Sequence, residues 1–173
     1  MVRRENSEVD LTTSVDPTER NLDDAEAIAS ERDIPPVLAR QVVPGFCRAA
    51  IEAAGIEIVR RRRIRRGESH AAVEKLLEQN GQLKPLLALV LFDNAGKGGE
   101  VAAKVAGWGV WAAEVLDTSN RGAHAGAGLM PLEELVMNTR KFCKRLRDGA
   151  TPNAALAAPA APSPKAAGTS TTR

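Results

Sequence analysis

Three short stretches of this 173-residue chain combine residue types that could do chemistry. The first is the run from Arg60 to Arg66, in which Arg60, Arg61, Arg62, Arg63, Arg65 and Arg66 are six arginines within seven positions. Guanidinium groups are the residue type of choice for phosphate and carboxylate. Seven helical residues cover about two turns, so the six groups point all round the axis and cannot share one protein face. The sequence therefore predicts a projecting basic helix end. The helix dipole favours cations there, and the end could meet an RNA or DNA phosphate backbone or an acidic partner. The chain's own acidic N-terminal segment is one such partner. No aromatic residue lies near the run in sequence, so contact is expected with backbone rather than with stacked bases.

The second stretch is Asn120-Arg121-Gly122-Ala123-His124. A histidine can act as acid or base near neutral pH, and an arginine beside it can stabilise charge developing on phosphorus. A lone loop histidine is also commonly a surface or capping residue, and both readings stay open. His70, beside Ser69, has no partner set. The third stretch, Gly96-Lys97, lacks what a phosphate loop needs: Leu91 stands where the earlier glycine belongs, and Gly98 stands where a magnesium-binding Ser or Thr belongs. A glycine-rich turn is expected instead, without nucleotide hydrolysis. Cys47 and Cys143 have neither CxxC nor His-Cys spacing, so buried free thiols are expected, with no disulfide framework, no metal and no cofactor.

The elements that must position these residues read as helices. Five aromatic residues (Phe46, Phe92, Phe142, Trp108, Trp111) and no Tyr disfavour a β-sandwich or barrel, and the Ala, Leu, Glu and Arg content favours an all-α fold. The net charge of +2 is segregated: residues 1–33 carry −6, residues 34–149 carry +6 and the last 24 residues +2. Residues 1–33 read as an acidic tether with one short helix, opened by Asp16-Pro17 and stopped by Pro35-Pro36. Residues 34–148 read as a compact bundle of about five helices: Pro44 to Arg65, Ser69 to Asn80, Leu83 to Asp93, Glu100 to Ser119, and one opening at Pro131. The Leu83 helix is apolar on nearly every side, which marks it as central. Residues 149–173 are almost wholly Ala, Pro, Ser, Thr and Gly, the composition of a disordered tail.

The longest strongly apolar stretch, Leu86 to Phe92, is far below the roughly 20 residues that span a bilayer, and the polar N-terminus carries no secretory signal. A cytoplasmic protein with no membrane association is the expectation.

Several of these strings together resemble a known family. Pro44-Gly-Phe-Cys-Arg-Ala-Ala-Ile-Glu52, the arginine-rich helix end, Gly67-Glu-Ser-His70, the leucine-rich helix to Phe92-Asp93 and Asn120-Arg-Gly-Ala-His124 resemble the C-terminal HEPN-like helical region of actinobacterial AAA or SMC-like ATPases, across about residues 16–148. The resemblance implies a helical bundle that forms a homodimer, an ATPase partner and a nucleic-acid defence or repair system. Many such domains are metal-independent endoribonucleases with an Arg and a His separated by about four to six residues. Arg121 and His124 match that site by position, but two residues separate them here. Asn120 to His124 instead gives the Asn-x3-His pattern of less clearly catalytic branches. The resemblance thus favours a non-catalytic oligomerisation and binding module. Its alternative is a ribonuclease in which His124 is the acid/base, Arg121 stabilises the transition state and Asn120 completes the site.

Overall fold

A computed structural model of the chain describes residues 16–121 and 130–150. Among them the fold is all-α, with seven α-helices, one 3-10 helix and no strand. The expected tail from 151 onward, the loop holding His124 and residues 1–15 lie outside the described residues.

Helix α1 (Pro17–Ser30) starts where sequence predicts: the Asp16 carboxylate accepts the Thr18 N–H at 2.9 Å, and Pro17 fills the first position. It is not a tether. Leu22 and Ala25 are fully buried in the common core, and α1 lies against both the second and the last helix. Helix α2 (Pro36–Arg65) runs 30 residues, beginning eight residues before the expected Pro44 start. Pro44 lacks an N–H and would ordinarily break a helix. Here it is buried inside one, because Ala39 and Val43 continue the stripe of Cys47, Ala50, Ile51, Ala54 and Ile58 into the core. Burial of that stripe offsets the missing hydrogen bond.

Helix α3 (His70–Gln79) is capped by the Ser69 hydroxyl, which accepts the Ala72 N–H at 3.3 Å. Helix α4 (Leu83–Phe92) buries six of its ten residues and sits at the centre, as its all-round apolarity predicts. It approaches α2 closely at Gly55, where an added Cβ would lie 3.2 Å from the Leu86 side chain. Asp93 ends it in the left-handed region at φ 57°.

The single helix expected from Glu100 to Ser119 is divided. A 3-10 helix (Ala95–Glu100) leads into α5 (Val101–Ala106), and α6 (Val110–Arg121) resumes after Gly107-Trp108-Gly109. Gly109 stands at φ 124°, where an added Cβ would lie 3.0 Å from the Trp111 ring. This break, together with the incorporation of α1, raises the helix number from about five to seven. Helix α7 (Leu132–Ala150) reaches two residues beyond the expected boundary and brings Leu135, Phe142, Cys143 and Leu146 into the core against α1, α2, α4 and α6. No helix among the described residues is long and apolar enough to cross a membrane.

Candidate functional site

The arginine run does not form a free projecting end. Arg60 donates from Nε and Nη2 to both carboxylate oxygens of Glu74, at 2.7 and 2.8 Å, and so ties α2 to α3. Arg62 is partly buried and donates to the carbonyls of Leu89 and Val90 near the end of α4, at 3.3 and 3.0 Å, the first of which also accepts the Asp93 N–H at 3.0 Å. Arg63 lies between Glu68 at 3.0 Å and Asp93 at 2.8 Å, and Arg66 holds the other Asp93 oxygen. Arg61 pairs with Glu57 one turn back at 2.5 Å. Of the six, Arg65 alone is exposed and without an ion-pair partner among the described residues. Six guanidinium groups pointing round the axis cannot share one face, but they can reach three neighbours. The run is thus a clasp between α2, α3 and the end of α4.

Nor is the acidic N-terminal helix the partner of that run. Asp16, Glu19, Asp23 and Glu26 recur at helical spacing along one side of α1, and they face arginines of α7. Arg140 reaches Glu19, Asp23 and Glu26 at 3.2, 3.0 and 3.1 Å. Arg147 donates to Asp16 at 2.7 Å, to the Thr18 hydroxyl at 3.0 Å and to Glu57 of α2 at 3.0 Å. The two arginines are i and i+7, so one face of α7 meets the one acidic face of α1.

Three carboxylates in these contacts sit below their ordinary range. At Asp16 and Asp93 burial pushes the value up, but the Thr18 N–H and Arg147 outweigh it at Asp16, and Arg66 with Arg63 at Asp93. At Glu74 the Arg60 hydrogen bonds lower it. The folded chain therefore holds fewer protons than the unfolded chain in acid, so stability is present above the ordinary carboxylate range, near pH 4, and is lost as pH falls through the lowered folded values. Thermal melts between pH 7 and pH 3 are expected to show a plateau and then a falling midpoint below about pH 4. A midpoint flat to pH 3 would mean that these contacts add no stability.

The remaining candidates divide clearly. Asn120 and Arg121 are exposed at the end of α6, where the Arg121 Nε donates to Asp117 at 2.8 Å. His124, the third member of that candidate set, lies outside the described residues. Gly96-Lys97 lies in the 3-10 helix, with Lys97 over the Phe92 ring at 5.5 Å. His70 is exposed, 3.7 Å from Glu74. Cys47 and Cys143 are free and buried, and burial pushes their thiols up to about 11 and about 12, which keeps them protonated and unreactive. No cluster of His, Cys, Asp or Glu among the described residues could hold a metal ion.

Two grooves border the clasp. One, of about 690 Å³ between the start of α1 and α2, is lined by charges of both signs: Asp16, Glu57, Arg60, Arg61 and Arg147. The other, of about 590 Å³, lies where the ends of α4 and α7 meet α5. Its lining brings Phe92 and Trp108 to Arg62, with Lys104 and Arg145 beside them. The expectation that no aromatic lies near the arginines holds along the chain and fails in space. Trp108 is 46 residues from Arg62, and the chain returns it there through the Gly107–Gly109 break. The only local signal for that break is a tryptophan flanked by Gly107 and Gly109, and the expected single helix from Glu100 to Ser119 ran through it. No protein-family model, curated protein or solved structure matches the chain.

Proposed function

We propose that this chain is a non-catalytic helical module that binds the phosphate backbone of a nucleic acid, associates with a second copy through α6 and α7, and serves an ATPase-linked defence or repair system. The observation that carries the reading is the charge left after internal pairing at the α2 end. Six arginines there meet four carboxylates, those of Glu57, Glu68, Glu74 and Asp93, and Glu57 is shared with Arg147. The clasp keeps a positive surplus, with Arg65 exposed to solvent, and the groove that Arg62 lines with Phe92 and Trp108 adds the exposed Lys104 and Arg145. A rigid, pre-paired frame carrying a few uncommitted cations suits electrostatic contact with phosphate and supplies no sequence readout. Self-association is supported by Val110 and Met137, 75% and 61% exposed on α6 and α7.

Anisotropy titrations of labelled single-stranded RNA and duplex DNA test the reading. Both are expected to bind at low salt, with log K falling linearly with log salt at a slope of roughly −0.7 to −0.9 per phosphate contact. Arg65→Glu should weaken both about equally and flatten the slope by about 1. Absence of binding to either at low salt would overturn the proposal.

A further inference from the structure

The groove between α4, α5 and α7 has the make-up of a site for one nucleotide unit, which deepens the backbone-binding reading and rests on it. We propose that it seats a base against Phe92 and Trp108 and that base's phosphate between Lys104 and Arg145. Its volume, about 590 Å³, lies within the range of small-ligand pockets. Both aromatic side chains line the groove and are partly buried, and Trp108 is fixed edge-on to Phe142 with ring centroids 5.2 Å apart. A held ring can receive a base at little cost in ordering. The two cations are exposed and have no ion-pair partner among the described residues.

The acids of the groove do not oppose this. Asp93 is bound by Arg63 and Arg66, and Asp148 is bound by Lys144 at 2.9 Å. Arg62, a half-buried residue of the lining, donates to the Leu89 and Val90 carbonyls and adds positive field without competing for the ligand. The unspent charge in the groove is therefore positive and sits beside two aromatic rings, of which Phe92 also carries Lys97 at 5.5 Å from its centroid. An anion with a planar ring fits that chemistry, whereas an acidic peptide leaves the aromatics unused.

The nucleotide could be free or part of a strand, and Trp108 can report on both. In the full chain carrying Trp111→Phe, Trp108 is the only tryptophan. Its emission is expected to be quenched saturably by AMP, untouched by inorganic phosphate, and quenched by an oligo-dA decamer at about tenfold lower concentration if the unit belongs to a strand. Quenching by AMP with no gain for the decamer would assign the site to a free nucleotide. Lys104→Glu and Arg145→Glu, both at exposed positions, should each weaken the quenching about fivefold, and Phe92→Leu by a similar factor, the low end of base stacking. Binding of the decamer by anisotropy with unchanged Trp108 emission would overturn this site and leave the backbone-binding reading standing. Quenching that survives in the Lys104→Glu, Arg145→Glu double variant would also overturn it. Absence of any strand binding at low salt would overturn both.

Discussion

Phe142→Ala is expected to destabilise the fold by about 3–5 kcal/mol, the range for deleting a fully buried aromatic ring. Phe142 is the largest of the completely buried side chains, and it sits on α7 where that helix meets the rest of the core. Against a typical total of about 5–15 kcal/mol, that is a large fraction of all stability. Chemical denaturation should show a lower midpoint with an unchanged slope, since the surface exposed on unfolding is nearly the same. A second effect should accompany it. The Phe142 ring holds Trp108 edge-on, so its removal should shift Trp108 emission to the red in the folded protein. Phe142→Leu keeps most of the volume and should cost less than about 2 kcal/mol. A loss below about 1 kcal/mol for the alanine variant would contradict the packing described for α7.

Asp93→Ala carries the next largest expected effect, about 2 kcal/mol, from two separable sources. Asp93 is in the left-handed region at φ 57°, where a β-carbon without a local hydrogen-bonding group costs about 1 kcal/mol. It also bridges Arg63 and Arg66, and Arg63 has only 19% of its side chain exposed. Because the Asp93 carboxylate is itself about a third exposed, solvent screens the pair and the charge contributes about 1 kcal/mol rather than the larger figure of a buried bridge. Asp93→Asn tolerates the left-handed backbone and removes only the charge, so it should recover about half of the loss. Guanidinium chloride masks the charge part, so urea is the denaturant for this comparison. Equal losses for Asn and Ala would place the whole effect in the ion pairs.

Much of this fold is legible in the chain. The Asp16-Pro17 start of α1, the Ser69 cap of α3, the all-round apolarity of α4 and the acidic start and basic end of α7 are local signals, and each gives the element it announces. What was not legible depends on partners distant in sequence. Pro44 reads as a helix start because the benefit of burying Ala39 and Val43 is set by α1 and α7, not by neighbours along the chain. The acidic helix α1 reads as a tether because its apolar stripe is short, and only Arg140 and Arg147, more than a hundred residues away, show why it stays.

The same holds for the candidate site. A run of arginines looks like a free cationic patch until Glu74, Glu68 and Asp93 are brought to it by two turns of the chain. Charge counted along a sequence does not distinguish a guanidinium bound to carboxylate from one offered to solvent. The Phe92–Trp108 pair was likewise hidden, since proximity in space came from the α5–α6 break rather than from spacing.

Whether the module binds RNA without cutting it can be read in one experiment, incubation of the purified full chain with end-labelled structured and single-stranded RNA in chelator at low salt. The proposed function predicts a shifted band on a native gel and full-length RNA on the denaturing gel from the same tubes, with the shift lost steeply as salt rises. Metal-free cleavage that disappears in His124→Ala would contradict it and assign Arg121 and His124 to a ribonuclease instead.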